Sequence, residues 1–302
     1  MFKRIFILTL YVVYSVLLVA VLLVVLFPKD RFAVWIAAQV EDKLPGFACR
    51  MEAARYTYPF TIRLDRVRLV DDARQIDIPI ERVTIDFSPQ WPLEDFDVFA
   101  ELYGGSAASH VAADSQSRVL RLRDVKVEAL NLELVDFLQS SLDRQVKGLL
   151  SLSGGMTIDG RDQADIRFSG MVSIDGFRTK LRRPVLGSAT FDFHRVQTGA
   201  DIDRQRIELS QGTFSGDMLR GTFSGTVNLS RPLQQSGLDI QGGLTPQPQL
   251  LKRNPAVARA AARLYRQFQK DSIPYLVGGT VKFPEFRFAT SANPVVNELN
   301  TL

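Results

Sequence analysis

The chain has 302 residues, of which 46% are apolar and 23% charged: enough apolar material for a packed core, and too much for a disordered polymer. Of its 37 basic residues, Lys3 and Arg4 stand ahead of a long apolar run, so 35 basic residues face 33 acidic ones beyond it. That balance leaves no global polyanion signal, and no nucleic-acid partner is expected. The single cysteine, Cys49, excludes an internal disulfide framework and a Cys-rich zinc site, and reads as a small buried thiol.

In chain order, residues 1–4 read as a cytoplasmic tail and residues 5–27 as a transmembrane anchor. From Ile5 to Phe27 there is no charge, Pro or Gly, and eighteen of the twenty-three residues are Leu, Ile, Val or Phe. A helix of that length reaches roughly 35 Å at about 1.5 Å per residue, enough to cross a hydrocarbon core of about 30 Å. The run is longer than the apolar region of a cleaved signal, and Pro28-Lys29-Asp30-Arg31 follows it in place of a small-x-small site. A four-residue tail behind such a span makes a signal anchor. That arrangement places everything after it in the periplasm, tethered to a bacterial inner membrane.

Residues 28–46 predict a juxtamembrane helix. Asp30 is placed to cap it, Phe32, Trp35, Ile36 and Val40 recur at helical spacing, and Pro45-Gly46 ends it. Two settings suit this helix: Trp35 at the membrane interface, or the helix as a plug over the open end of the sheet that follows.

Residues 47–288 predict a β-rich domain, because from Phe47 to Leu251 the dominant period is two. The fold class expected is mainly β with a few helices, a long curved antiparallel sheet forming a groove or half-barrel. One pattern recurs three times: Ile62, Leu64, Val67, Leu69; then Ile78, Ile80, Val83, Ile85; then Leu120, Leu122, Val125, Val127. The alternation slips by one residue at Asp65-Arg66, Glu81-Arg82 and Arg123-Asp124. Each copy is expected to bend at a charged bulge, since an unabsorbed slip would turn every later side chain to the other face. Further on, Gly leads short alternating stretches, 153–158, 169–174, 224–229 and 278–283, where it marks a bend or a close backbone approach. One face of this sheet is apolar and calls for a cover, a partner or a ligand.

Two helices are expected to interrupt the sheet. The first, near Leu132 to Val146, packs across the apolar face and marks a possible subdivision near 132–147. The second is capped by Asn254, has Pro255 at its first position and runs to about Lys270. Its apolar side carries Val257, Ala261, Leu264 and Phe268. Lys252, Arg253, Arg259, Arg263, Arg266 and Lys270 make a candidate basic face for an acidic partner or anionic lipid, the alternative being a solvated surface. Residues 289–302 read as a loose tail.

No catalytic or cofactor-binding pattern is found. His110 falls in a Gly/Ala/Ser-rich stretch that reads as a loop, and His194 stands beside an alternating strand; neither has metal-ligand spacing. Gly212-Thr-Phe-Ser-Gly216 has the wrong spacing for a nucleophile elbow. Asp71-Asp72, Glu94-Asp95 and Asp201-x-Asp203 read as turn residues. A non-enzyme without metal or cofactor is the expectation.

The layout resembles the type II secretion system protein N (GspN) family. The residues that carry the likeness are the bare span with the Phe27-Pro28-Lys29-Asp30-Arg31-Phe32 junction, then Gly212-Thr-Phe-Ser-Gly-Asp217 and Gly225-Thr-Val-Asn-Leu-Ser-Arg-Pro232. The resemblance implies an accessory inner-membrane component of the apparatus that moves folded periplasmic proteins across the outer membrane. Its implied partners are other secretion subunits, and it carries no catalytic residues over. The same strand grammar is similar to the AsmA-like group, which implies a curved sheet with an apolar groove and a role in lipid traffic and outer-membrane upkeep.

Overall fold

The computed structural model describes Tyr14 and residues 29–43, 46–57, 61–71, 76–88, 95–114, 119–142, 145–159, 166–185, 188–253 and 272–288, with six helical residues between 255 and 266. Apart from Tyr14, the predicted anchor with its ends Ile5 and Phe27 lies outside the described residues, as does the tail 289–302. Among the described residues no helix is long and apolar enough to cross a membrane. Strand dominates the description, beginning at Ala48 and ending at Phe288, and every strand pair with a defined register is antiparallel. The chain divides into two units, Met1–Ala100 and Glu101–Leu302. The segment 132–147 therefore lies inside the second unit.

In the first unit, helix α1 (Lys29–Lys43) precedes β1 (Ala48–Arg50), β2 (Ala53–Thr57), β3 (Thr61–Asp71), β4 (Ile76–Phe87) and β5 (Asp95–Leu102). The sheet order is β1-β3-β4-β5, with β2 also paired to β3. Helix α1 begins at Lys29, so Asp30 sits inside it and not ahead of it. Ala33, Ile36, Ala37 and Val40, spaced at i, i+3, i+4 and i+7, pack on a core of Cys49, Ala54, Leu64 and Val67. The helix thus covers a sheet face, while Trp35 (57% exposed) and Val34 (70%) point away from it. Cys49 is buried; burial, then the nearby Glu41 carboxylate, pushes its thiol up, and Glu41 Oε1 accepts the Cys49 backbone N–H at 2.9 Å.

Leu64 and Val67 are three residues apart on β3, an odd separation that should put them on opposite faces, yet both belong to that core. The cause is Arg66, whose φ of 53° puts one left-handed residue into the strand and resets the alternation. Across the ladder Asp65 pairs with Arg82 and Val67 with Ile80, so Arg66 and Glu81 face each other and the register resumes without a shift. The first two copies of the repeated pattern are therefore not bulges: they pair with one another and slip together. The third copy does bulge. On β7 (Val119–Asn131), Leu122 pairs with Met156 and Val125 with Gly154, two residues set against one, with Asp124 at φ 51°.

The second unit continues with β6 (Gly105–Asp114), β7, β8 (Val146–Asp159), β9 (Ile166–Val185), β10 (Ser188–Asp203), β11 (Arg206–Ser215), β12 (Leu219–Asn228), β13 (Gly237–Pro246), β14 (Ile273–Gly279) and β15 (Pro284–Phe288). Their order in the sheet is their order in the chain, without a crossover, and among the described residues no pairing closes β15 back onto β6. His110 belongs to β6 and not to a loop; Ala and Ser hide the alternation there, while backbone pairing with β7 holds the strand. The helix expected over 132–146 is shorter. A 3-10 turn at Leu132–Leu134, capped by the Asn131 side chain, leads into α2 (Asp136–Leu142), which touches the turn at Leu233–Gln235. The Gln139 side chain ends it by donating to the Leu132 and Val146 carbonyls and accepting the Val146 N–H at 3.0 Å, so β8 starts at once.

The Gly-led stretches lie within long strands and do not start short ones. Thr280–Phe283 is not a strand: Gly279 (φ 79°) closes β14, and the Thr280 N–H donates to the Phe283 carbonyl across the turn into β15. Asp71, read as a turn residue, ends β3 and is 2% exposed, and Asp201 and Asp203 lie in β10.

Candidate binding face

Directly paired residues of an antiparallel ladder share a face, so the registers of the second unit can be followed from strand to strand. One row, from β7 to β14, reads Leu130, Leu150, Ile174, Val196, Phe214, Gly221, Leu244, Ile273. A parallel row, reaching β15, reads Val125, Gly154, Gly170, Ala200, Leu209, Gly225, Ile240, Val277, Phe286. A third reads Leu122, Met156, Phe168, Ile202, Ile207, Val227, Leu238. These rows make one apolar face across most of the unit. Much of it is half-buried; Val125, Phe168 and Ala200 are buried. The other face carries Ser151, Ser153, Ser169, Asp201, Glu208, Thr213 and Thr222, and a hollow of about 600 Å³ lined in part by Thr213, Thr222, Ser224 and Gln241.

Left-handed residues keep the apolar side chains together here as Arg66 does in the first unit. Asp124, Ala129, Gly176 and Gln211 have φ of 51°, 54°, 63° and 50°, and each sits where the alternation slips. At Gly176, opposite His194, the slip brings Phe177, Phe191 and Phe193 to the side of Val196. A string of rings results: Phe193 meets Phe177 at 6.3 Å, Phe191 at 6.1 Å and Phe214 at 5.2 Å. It continues from Phe214 to Tyr275 at 6.5 Å, then Phe286 at 5.4 Å and Phe288 at 5.1 Å. Glycines make room for the rings: a Cβ on Gly212 would stand 2.6 Å from the Phe223 ring. The centre of this core is Phe191, Leu219, Leu244, Ile273 and Tyr275, covered by Leu250 and Leu251 of helix α3 (Pro248–Arg253).

Tyr275 is 7% exposed, and its hydroxyl donates to the Thr222 carbonyl at 3.2 Å. Burial pushes its pKa up to about 12. The folded form favours the neutral phenol, so this group's contribution to stability is whole below the ordinary value of 10.0 and is lost as pH rises toward about 12. In an absorbance titration of tyrosinate, the difference between the native protein and Tyr275→Phe should be one late phase near pH 12; a difference centred near pH 10 would show the phenol to be solvated.

The sequence-predicted residues are distributed as follows. Lys252, Arg259, Arg263 and Arg266 are exposed, and the helical residues Pro255, Ala258, Arg259, Ala262, Arg263 and Arg266 fit one helical segment beyond α3. The Arg266 side chain donates to the Ala262 carbonyl at 3.2 Å. Lys270 and the side chain of Arg253 lie outside the described residues, with Asn254, Val257, Ala261, Leu264 and Phe268. His194 Nε2 stands 3.2 Å from Asp217 Oδ1, both exposed. Asp175 and Arg195 pair directly across β9 and β10, and the guanidinium hydrogen bond holds the carboxyl below its usual range. Among the described residues no group of three or more His, Cys, Asp or Glu is placed to hold a metal ion. The ring string was not anticipated, although Phe191-x-Phe193-x-x-Val196 repeats the slip pattern recognised elsewhere.

No protein-family model, no curated protein and no solved structure matches this chain.

Proposed function

We propose that the protein is a non-catalytic subunit of the type II protein secretion apparatus, anchored in a bacterial inner membrane by residues 5–27 and working in the periplasm through its sheet. The observation that carries this reading is the apolar face of the second unit, whose rows run from β7 to β15 and suit holding a partner better than turning over a substrate. The segments that resemble the protein N family lend support: Gly212-Thr-Phe-Ser-Gly-Asp217 ends β11 and enters its turn, and Gly225 begins the last part of β12. Other secretion subunits of the membrane and periplasm are the proposed partners. Deletion of the gene is expected to leave type II substrates in the periplasm, with recovery on complementation by the full chain. Normal export in the deletion strain rejects the reading.

The same face favours a second reading, an AsmA-like groove or half-barrel that binds lipid in outer-membrane upkeep. Left-handed residues and bulges bend strands, and side chains along the rows are mostly aliphatic or aromatic. Phospholipid retained by the purified protein in native mass spectrometry, displaced by a bulky substitution such as Val172→Trp, is expected under that reading; a protein free of lipid rejects it.

A further inference from the structure

The face of the first unit turned away from α1 carries charge in an arrangement the secretion reading does not use. Arg55 on β2 and Arg63 on β3 are directly opposite in the register, a like-charge pair that destabilises a sheet unless something bridges it. Asp65, two residues along β3, lies within ion-pair distance of Arg63 at 2.9 Å, Arg55 at 3.6 Å and Arg82 at 3.9 Å. Three guanidiniums therefore lie around one carboxylate that is only 20% exposed, with Arg55 and Arg63 nearest to it. Arg66 is occupied by Glu52 at the rim. With Glu81 these groups line an open hollow of about 510 Å³, four arginines against three carboxylates. Glu52 lies beside Arg66 by ion pairing and Glu81 beside Arg82 in sequence, while Arg55 and Arg63 have only Asp65 between them.

We propose that this hollow is a binding site for a phosphate-type oxyanion, gripped by the forks of Arg55 and Arg63 with Arg82 alongside. Guanidinium is the fitting group, since its planar donors match phosphate oxygens two at a time. Asp65 already bridges Arg55 and Arg63 through their Nε groups; an oxyanion seated between the two forks engages their remaining donors, while Asp65 holds the forks in place and limits affinity. The site is independent of the secretion reading, and its anion comes either from a phospholipid headgroup or from free phosphate.

The full chain in neutral detergent, titrated with inorganic phosphate by calorimetry at low ionic strength, tests the site. Arg55→Gln with Arg63→Gln should weaken binding about tenfold or more, the size of one lost charge-assisted hydrogen bond. Asp65→Asn should tighten it, because the competing carboxylate is gone; a purely structural ion-pair hub would do the reverse. If the Gln double variant does not fold, Arg55→Lys with Arg63→Lys keeps both charges, removes the forks and should still bind more weakly. In nanodiscs, loss of phosphate binding only when phosphatidylglycerol is present assigns the site to a headgroup, and unchanged binding assigns it to soluble phosphate. No heat with the native chain, equal affinity in the double variants, or weaker binding by Asp65→Asn overturns the proposal.

Discussion

Gly170→Ala is expected to lower the stability of the protein by about 2–4 kcal/mol, read as an earlier urea midpoint by far-ultraviolet circular dichroism of the full chain in detergent. Gly170 pairs directly with Gly154 across β9 and β8. A Cβ at Gly170 would stand 2.2 Å from the Ser153 carbonyl oxygen, 2.8 Å from the Gly154 Cα and 2.8 Å from Cζ of Phe168. Two of those atoms are backbone held by the ladder, so neither can turn aside as a side-chain tip could. The strands must part locally, at the row that joins β7 to β15. Ser169→Ala, one residue away on the polar face, is the control and should change stability by less than about 0.5 kcal/mol. Equal midpoints for Gly170→Ala and the unaltered chain would mean that the strands do not approach this closely.

The second large effect is expected at Ile273, which is 2% exposed among Leu244, Leu250 and Phe191. Ile273→Ala removes buried methyl groups and leaves a void that the ladder on one side and Leu250 on the other cannot collapse into, a loss of about 2–5 kcal/mol. Leu276, three residues along the same strand, is 43% exposed and turned to the opposite face. Leu276→Ala should therefore cost less than about 0.5 kcal/mol. Comparable losses at the two positions would refute the assignment of faces, and with it the apolar surface on which the proposed function stands.

Much of the sheet could be read from the chain because alternation is a direct record of which side chains turn inward. The first strand begins at Ala48, where the alternation of period two sets in, and Gly154 and Gly170 are close approaches, as glycine in such stretches implies. Helix α1 packs on a sheet face, and Ala33 and Ala37 supply half of the contact, alanine being too small to stand out in an apolar stripe. What escaped were relations between distant segments. Nothing local to Asp65-Arg66 says that Glu81-Arg82 will be its partner across the ladder, so two slips that compensate each other looked like two separate bulges. The arginine hollow was hidden for the same reason: Arg55, Arg63, Asp65 and Arg82 meet only once register is known. The ring string needs the seven strands β9 to β15 in order before Phe177 and Phe288 can be joined.

The facing slips also constrain how such a sheet can change in length. Arg66 stands opposite Glu81, and Gly176 opposite His194, so each acts like a paired spacer in two antiparallel texts. Losing one member alone throws every following side chain in that arm out of phase with its neighbour; losing both together restores the frame. Hairpins of this protein are thus free to lengthen at their tips, where Arg204-Gln205 already turns the chain, but at these facing slips they must gain or lose residues two at a time, one on each strand, whereas a bulge such as the one at Asp124 holds an unmatched residue.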